Sequence, residues 1–391
     1  MHTLFAREHN RIVGLLPTSL PEEEKFQIAR RVVGAEEQYV TYQEFLPAMG
    51  VRLPPYRGYR PNVNATLSNE FATAGYRVHS MVHGEFEPER SPGSLSGKEV
   101  AAFATQGIEV EREEKSVKLA IPLGLTYGNP GWLRAVGLGP LLAGLGNERQ
   151  YRNDEQIDES MRSILFQIPK PGAREPSSCA LPAVKARCFS AVLDLGAIDI
   201  YRGRDHGLPS YDRLRAAYGL APRRTYAEIT GEGAEASGDV RRLAGRARVS
   251  IDDPSSLRFT RLEDADGRPV RPGTEDAREG VVSATRRTTL AFRLQAIYGP
   301  GNVDEVDAFV GMLAEPHVPG SELGELQLAI WRKQFQALRD GDRFFYLNDP
   351  YRDRVRDRYG LDYRQTLADI IRLNTGEVVQ PNVFELPPDA E

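Results

Sequence analysis

Two stretches of the sequence carry side chains whose types and spacing could support chemistry. In the first, Tyr76 stands three residues before His79, and His83 stands four residues after it. In the second, DIYRGRDH, Asp199 and Arg202 stand three residues apart among alternating charges. A histidine can bind a metal through one ring nitrogen while a carboxylate accepts the N–H of the other. His79 is therefore a candidate metal ligand, and Asp199 is its candidate hydrogen-bond partner.

The segment from Asn64 to Gly84 reads as one helix that positions His79. Asn64 can cap its N-terminus and Gly84 can end it. Four apolar residues recur at near-helical spacing and should face the core: Leu67, Phe71, Val78 and Val82. Ala72 and Gly75 are small and leave room beside the imidazole for a flat, bulky group. The pattern predicts that His79 holds a haem iron.

Each of these stretches also has a simpler interpretation. His79 could be a core histidine with both ring nitrogens satisfied. His79 and His83 could form a zinc pair one helical turn apart, although the catalytic version has Glu where this chain has Ser80, and Glu85 is off the pattern. The charged stretch 199–207 could be a buried ion-pair cluster that joins two helices.

The composition excludes several classes of protein. The chain has 391 residues, 40% hydrophobic and 27% charged, which is typical of a soluble globular protein. A net charge of −5 argues against a general nucleic-acid binder. No apolar run approaches the ~20 residues of a spanning helix, and no signal peptide is visible, so Met1 as the true start would place the protein in the cytoplasm. Cys179 and Cys188 are too few for a disulfide framework or a zinc site, and we expect buried thiols.

Hydrophobic periodicity predicts a mainly α-helical chain without repeats. Ser19 and Glu22 form a capping box before a long helix that stops at Pro47, and Gly376 ends the last helix. Residues 222–285 are poor in large apolar residues, and we expect an exposed, partly mobile insertion. Further helices are expected at 3–16, 131–147 and 155–168, and EVEREEKSVKLAIPL is expected to form a short hairpin or an exposed edge.

The run AIDIYRGRDHGLPSYDRLR resembles the most recognisable motif of the animal-type haem peroxidases, in the peroxidase–cyclooxygenase superfamily. Other segments resemble the same family in the same order, among them MHTLFAREHNRI, QYVTYQEFLPAMGV, NEFATAGYRVHSMV and NTGEVVQPNVF. The resemblance covers nearly the whole chain apart from 222–285. It implies a mainly α peroxidase fold, with residues 1–391 forming a single, incomplete catalytic domain.

The resemblance assigns a role to each candidate site residue. His79 matches the proximal haem ligand, and Asp199 matches the group that accepts its N–H. Arg202 matches an arginine that pairs with a haem propionate. A second such arginine usually stands three residues before the ligand, but Tyr76 holds that place and Arg77 stands two residues before His79. Arg77 is therefore a second, less regular propionate partner.

The distal half of the family's site has no match in this sequence. The family uses a distal histidine to move the peroxide proton and a distal arginine to stabilise negative charge. The resemblance places both, and the family's calcium site, before Met1. His2 and His9 do not match the distal positions. We therefore expect the N-terminal, distal portion to be missing and the distal catalytic residues to lie outside this chain.

The resemblance implies a haem-dependent peroxidase that reduces hydrogen peroxide and oxidises a small-molecule donor, with a role in the response to oxidative stress. One alternative is a fatty-acid dioxygenase of the same superfamily, because Tyr76-Arg77-Val78-His79 resembles its Y-R-W-H pattern. A tyrosyl radical at Tyr76 would then abstract hydrogen from the lipid. Another alternative is an inactive remnant that binds haem or has a structural role.

Overall fold

The structure of the chain is a computed structural model. It describes residues 1–91, 93–105, 108–112, 114, 116–126, 129–158, 160–164, 166–169, 189–232, 259–264, 268–271, 283–286 and 289–386.

Helices dominate the described residues, as the sequence predicts. They are α1 His2–Leu15, α2 Glu22–Val40, α3 Gly97–Thr105, α4 Leu123–Thr126, α5 Gly131–Val136, α6 Leu138–Asn147, α7 Leu195–Asp205, α8 Tyr211–Ala217, α9 Tyr226–Thr230, α10 Leu290–Tyr298, α11 Ala308–Ala314, α12 Glu325–Asp340, α13 Pro350–Tyr359 and α14 Leu367–Thr375. Shorter turns are π-helical at Thr41–Phe45, Phe71–Gly75 and Ser160–Ile164, α-helical at Leu46–Ala48, and 3₁₀ at His79–Met81 and Val303–Glu305. None of the helices in the described part of the chain is long and apolar enough to cross a membrane.

In the described part of the chain, short antiparallel strands form three small sheets. They are β1 Glu85–Phe86, β2 Glu89–Arg90, β3 Glu109–Arg112, β4 Val117–Pro122, β5 Phe166–Pro169, β6 Phe189–Leu193, β7 Phe259–Glu263, β8 Pro269–Val270 and β9 Ser283–Arg286. Strand β4 pairs with β1, β2 and β3, β5 pairs with β6, and β7 pairs with β8 and β9. The β3–β4 pair, with Glu109 opposite Ala120, confirms the predicted hairpin.

The largest apolar core surrounds α12. This helix is amphipathic, and Leu326, Ile330 and Trp331 on its inner face are buried. They pack with Phe71, with Met312 of α11 and with residues of α8, α9 and α10. Other apolar clusters lie between α1, α2 and α13 and between α1, α6 and α14. Because Phe71 lies in this core and precedes His79 by eight residues, the helical core supports the segment that carries the candidate site.

Residues 64–84 do not form one helix, so this prediction is wrong. Asn64 accepts a hydrogen bond from the N–H of Thr66 (2.9 Å) and closes a local turn. Helical structure runs only from residue 69 to Gly75, and a separate 3₁₀ turn begins at His79. The side chains of Gln327 and Trp331 both donate to the Gly75 carbonyl, at 2.9 and 2.6 Å. An α-helix would offer this carbonyl to the N–H of residue 79, so the competing bonds favour the break.

The break changes which residues reach the core. Of the four apolar residues that the helical pattern assigned to the core, Phe71 is buried, whereas Leu67 is 55% exposed. Val78 and Val82 are half-buried. Val78 nevertheless packs against the largest core, as the pattern predicts. The pattern misplaced Leu67, which precedes the first helical residue at position 69.

Other helix boundaries also differ from the sequence prediction. Ser19 does not cap α2, which begins after Pro21 without a side-chain cap. Helical structure continues past Pro47 to Ala48, through the π-helical turn that follows α2. Within the helix predicted at 155–168, Ser160–Ile164 form a π-helical turn, and Phe166 begins strand β5, because pairing with β6 satisfies that backbone. The helices predicted at 3–16 and 131–147 are present, the second interrupted at Gly137. Gly376 ends α14 with φ of 80°, as predicted.

The start of the segment 222–285 belongs to the core. Tyr226 and Ile229 of α9 are buried, and the Tyr226 hydroxyl donates to the carbonyl of Gly299 (2.7 Å). Most of the remaining predicted insertion lies outside the described residues, so its exposure and mobility stay predictions. Cys179 and Cys188 also lie outside the described residues.

Candidate functional site

Asp199 is buried on α7, the helix that contains most of the charged motif. The helix begins where the Asp194 side chain accepts a hydrogen bond from the N–H of Ala197 (3.0 Å). One and a half turns later, Asp199 faces inward and its side chain is only 2% exposed. Arg202 is on the same helix and is exposed. The helix therefore presents a buried carboxylate and a surface cation within one turn of each other.

His79 lies against that carboxylate, as the sequence predicts. Its Nδ1 is 2.5 Å from Oδ2 of Asp199. With a carboxylate as acceptor, Nδ1 carries the proton, and Nε2 keeps its lone pair available to a metal. The His79 side chain is 22% exposed, so the ring is not enclosed by the protein. The contact joins two segments that are 120 residues apart and fixes the orientation of the imidazole.

The turn that carries His79 is held on its C-terminal side. Ser80 is buried, and its hydroxyl donates to Oδ1 of Asn153 (3.2 Å). The carbonyl of Met81 accepts a hydrogen bond from the N–H of Tyr151 (3.3 Å). Asp199 thus fixes the ring of His79, and the bonds of Ser80 and Met81 fix the turn that carries it.

Arg77 also reaches Asp199, a contact that the sequence interpretation missed. Its Nε is 3.9 Å from Oδ1 of Asp199, and its Nη2 donates to the carbonyl of Ala72 (3.0 Å). Its guanidinium lies 4.4 Å from the centre of the Tyr76 ring. Nε is buried without a hydrogen-bond partner among the described residues. The sequence could have suggested this contact, because a buried aspartate needs a positively charged partner and Arg77 lies two residues before His79.

Gly75 does not have the role beside the imidazole that the sequence predicts. A Cβ added at Gly75 would lie 2.8 Å from Cγ2 of Ile330, so this glycine makes room for α12. Ala72 is half-buried, and its carbonyl holds Arg77. The interpretation that Ala72 and Gly75 clear space beside the imidazole is therefore wrong at Gly75, because the backbone turns before it reaches the ring.

His83 has a different environment from His79. Its ring stacks on Tyr151 with centroids 4.0 Å apart, and burial lowers its pKa. The part of the chain that the structure describes contains no group of three or more His, Cys, Asp or Glu side chains that could hold a metal ion. The zinc interpretation of His79 and His83 therefore finds no third ligand there.

Comparison with known proteins decides the family. A model of the animal haem peroxidase family matches residues 1–244 and 279–384. The chain belongs to the animal haem peroxidase family. Only residues 245–278 between these ranges are unmatched, and they fall within the segment predicted as an insertion. The family match and the helical architecture confirm the superfamily and the fold class that the collinear motifs implied.

Relatives of this animal haem peroxidase chain are considerably longer than it is. Peroxinectin A of Dictyostelium discoideum is 28% identical over 389 residues, which cover 98% of this chain and 54% of the relative. Thyroid peroxidase of Canis lupus familiaris is 29% identical and matches 96% of this chain over 31% of its own length. The chain thus spans about half or less of the curated relatives it matches.

Solved structures show the same fold. Peroxidase A from Dictyostelium discoideum superimposes with a TM-score of 0.65 at 26% identity, covering 98% of this chain and 56% of that one. The Oryza sativa fatty acid alpha-dioxygenase superimposes with a TM-score of 0.58 at 16% identity, over 97% of this chain and 54% of that one. The second likeness is evidence for the fold alone.

The donor set at His79 fits the haem that the animal haem peroxidase family implies. Nε2 of His79 is the nitrogen that Asp199 leaves free, and the partly exposed ring can be reached. Arg202 is exposed on the same helix as Asp199 and is available to pair with a carboxylate. Arg77 is already engaged by Ala72 and Asp199.

The remaining sequence candidates are separate from this pair. Tyr76 is 41% exposed and its ring lies 5.6 Å from that of Phe71. His9 packs on Phe26, and its Nε2 is 3.3 Å from the Phe26 carbonyl oxygen. His2 is exposed at the start of α1. The first-helix histidines thus have ordinary surface surroundings.

Proposed function

We propose that this chain binds haem through His79 and forms part of a peroxidase that reduces hydrogen peroxide to water and oxidises a small-molecule donor. The observation that carries the proposal is the 2.5 Å contact between Nδ1 of His79 and the buried carboxylate of Asp199. It holds the ring in one tautomer and increases the donor strength of Nε2. When bound, the haem supplies the redox-active iron for peroxide chemistry.

The chain's own residues have distinct roles in this proposal. His79 would hold the haem iron through Nε2, and Asp199 holds its Nδ1 proton. Arg77 moderates the buried negative charge of Asp199 through its Nε, 3.9 Å from Oδ1. Arg202, which is exposed on the same helix as Asp199, would pair with a haem propionate. These residues bind and orient the cofactor, and they do not themselves move the peroxide proton.

Proton transfer to peroxide needs groups on the opposite face of the haem. The family resemblance gives this role to a distal histidine and arginine that have no match in these 391 residues. We infer that additional polypeptide supplies both groups. His2 and His9 are not assigned to the distal role, because neither matches the distal motif.

Haem titration of the purified chain tests the ligand assignment. We expect a Soret band that shifts on binding, and we expect His79→Ala to remove this shift. His206→Ala is the matched control, since His206 is exposed and uses its backbone carbonyl, rather than its ring, to contact Asn69. Tight haem binding that His79→Ala leaves unchanged would contradict the assignment.

Activity measurements separate the remaining functions. Peroxide-dependent oxidation of a phenolic donor supports the peroxidase. Oxygen uptake with palmitate that Tyr76→Phe abolishes supports the dioxygenase alternative, which is favoured by the exposure of Tyr76 three residues before His79. A Soret band with neither activity supports a haem-binding remnant, or dependence on the distal polypeptide. Adding that polypeptide then separates these two cases.

A further inference from the structure

A cleft with a volume of about 500 Å³ lies between α2 and the segment 344–363. Its lining residues do not belong to the segments that carry His79 and Asp199. Much of its wall is aromatic, from the side chains of Phe344, Tyr346, Tyr351 and Tyr363. Small-molecule sites typically have volumes of about 300–1,000 Å³, apolar or aromatic walls and a few placed polar groups. The cleft has this size and this kind of wall.

The cleft has an excess of positive charge. Arg30, Arg31 and Arg352 line it, together with a single carboxylate from Asp349. That carboxylate is already used, because Nε of Arg31 lies 3.1 Å from its Oδ2 and the N–H of Tyr351 donates to its Oδ1 (3.0 Å). The lining side chains therefore give the cleft a net positive charge.

Arg352 is the arginine that most needs an acceptor. Its Nε and Nη1 are buried, and neither has a hydrogen-bond partner among the described residues. Oδ1 of Asp353 lies 3.4 Å from Nε, outside hydrogen-bond geometry, and is also 3.2 Å from Arg356. The guanidinium stacks 4.9 Å from the centre of the Tyr363 ring. No described residue therefore uses these two donors of Arg352, and a buried donor without a partner is unfavourable.

Gly34 keeps part of the cleft open. It lies inside α2 and lines the cleft, and a Cβ added there would meet no atom within 4 Å. Glycine inside a helix is less stable than alanine, because it loses more conformational freedom on folding. The helix therefore carries a small residue where a larger one would fit, and the space remains accessible from the cleft.

We propose that this cleft binds a small planar carboxylate. The carboxylate pairs with the guanidinium of Arg352, whose side chain is 17% exposed. The conjugated body of the ligand packs against the aromatic wall, where offset or edge-to-face ring contacts are favourable. The site is separate from His79 and does not depend on the proposed haem chemistry.

Calorimetric titration of the full 391-residue chain with benzoate tests the proposal. Benzamide removes the charge but keeps the ring, and inorganic phosphate keeps an anion but removes the ring. We expect benzoate to bind at least tenfold more tightly than either. Arg352→Gln should weaken benzoate binding tenfold or more. Arg358→Gln, an exposed position on the same helix outside the cleft, should leave it unchanged.

A cavity-filling variant keeps the test decisive if Arg352→Gln fails to fold. Gly34→Leu places a side chain in open space, and we expect a folded protein that has lost benzoate binding. Gly14→Leu is the matched control, because a Cβ at Gly14 of α1 also meets no atom within 4 Å and Gly14 does not line the cleft. Equal binding of benzoate and benzamide, equal binding of phosphate, or benzoate binding unaffected by Gly34→Leu would overturn the proposal.

Discussion

Glu315 and Asp199 are both buried carboxylates that contact a nitrogen base, yet their surroundings differ. Glu315 accepts hydrogen bonds from the Tyr211 hydroxyl (2.6 Å), from Nη1 of Arg215 (2.5 Å) and from the N–H of Leu326 (2.8 Å). Arg215 is itself 1% exposed. Asp199 is equally buried, but its main partner, His79, is 22% exposed and retains one ring nitrogen without a protein acceptor or donor among the described residues.

The difference is between a closed network and an open one. In the closed network each charge has a protein partner, and burial raises the pKa of Glu315 while its hydrogen bonds oppose that rise. This network joins α8, α11 and the start of α12, and its buried charges are already paired within the protein. The open network ends at a nitrogen that can bind a metal. Burial of a carboxylate therefore does not identify a site, whereas an accessible partner of that carboxylate does.

Breaking the closed network should have the largest effect on stability. Arg215→Met leaves Glu315 buried without its cation, which typically costs about 3–5 kcal/mol of unfolding free energy. Urea unfolding of the purified chain measures this loss. Arg213→Met, an exposed position on the same helix, is the control and should change stability by less than about 0.5 kcal/mol. A similar small change for Arg215→Met would show that the two networks do not differ in this way.

Glu36 is a buried carboxylate without a cation of its own, and it extends the comparison to the pH dependence of stability. Glu36 on α2 is 1% exposed beside buried Glu8, and burial, followed by the charge of Glu8, raises its pKa from 4.5 to about 9. Its Oε2 has no hydrogen-bond partner among the described residues. The unfolded chain releases this proton at lower pH than the folded chain does. The stabilising contribution is complete below pH 4.5 and is lost as pH rises toward 9.

Glu36→Gln should therefore reduce the loss of stability between pH 5 and pH 9, because the amide stays neutral. At pH 8 we expect the variant to be more stable than the unchanged chain by about 2 kcal/mol or more. Glu24→Gln, an exposed position on the same helix, should leave the pH profile unchanged. Urea unfolding across this pH range is the measurement, and parallel profiles for Glu36→Gln and the unchanged chain would contradict the interpretation.

Removing the carboxylate of the open network should affect ligand binding more than folding. Asp199→Ala frees the imidazole of His79, and the loss of such a partner typically lowers metal-site affinity about 10–100-fold. Haem titration measures the change, with Asp205→Ala on the same helix as the exposed control. A variant that unfolds, or one that binds haem as tightly as the unchanged chain, would place Asp199 in the same class as Glu315.

We expect the smallest effect on stability from the pair of Arg204 and Asp307, whose arginine is exposed. Nε and Nη2 of Arg204 each donate to Asp307 at 2.7 Å, but the Arg204 side chain is 63% exposed. Exposed pairs contribute about 0–1 kcal/mol. A double-mutant cycle with Arg204→Gln and Asp307→Asn measures the coupling. A coupling above about 2 kcal/mol would indicate that exposure is a poor guide to the strength of these networks.

The sequence predicted the partners at the site better than it predicted the backbone between them. His79 and Asp199 could be paired because imidazole and carboxylate have matched chemistry and each lies in a recognisable family segment. The helix proposed for 64–84 failed because Gln327 and Trp331, distant in sequence, capture the Gly75 carbonyl. Periodicity contains no information about such competitors.

Local signals succeeded where the contacts that decide the structure are also local. The stop at Gly376 depends on a left-handed residue that glycine adopts readily, and the β3–β4 hairpin depends on nearby pairing. Strand β5 was mistaken for part of a helix because its partner β6 lies some twenty residues further along the chain. The contact between Arg77 and Asp199 was missed because the turn that brings them together was not visible in the sequence.

The interruption after Gly75 also gives the chain a joint at Tyr76–Val78. His79 begins a new turn there, so its direction is set by three residues whose backbone is neither helix nor strand. Lengthening the preceding helix through this joint would rotate the imidazole away from Asp199, even though every residue of the pair remained in place. Selection on the length and shape of this joint, as well as on the two side chains, would therefore preserve the site.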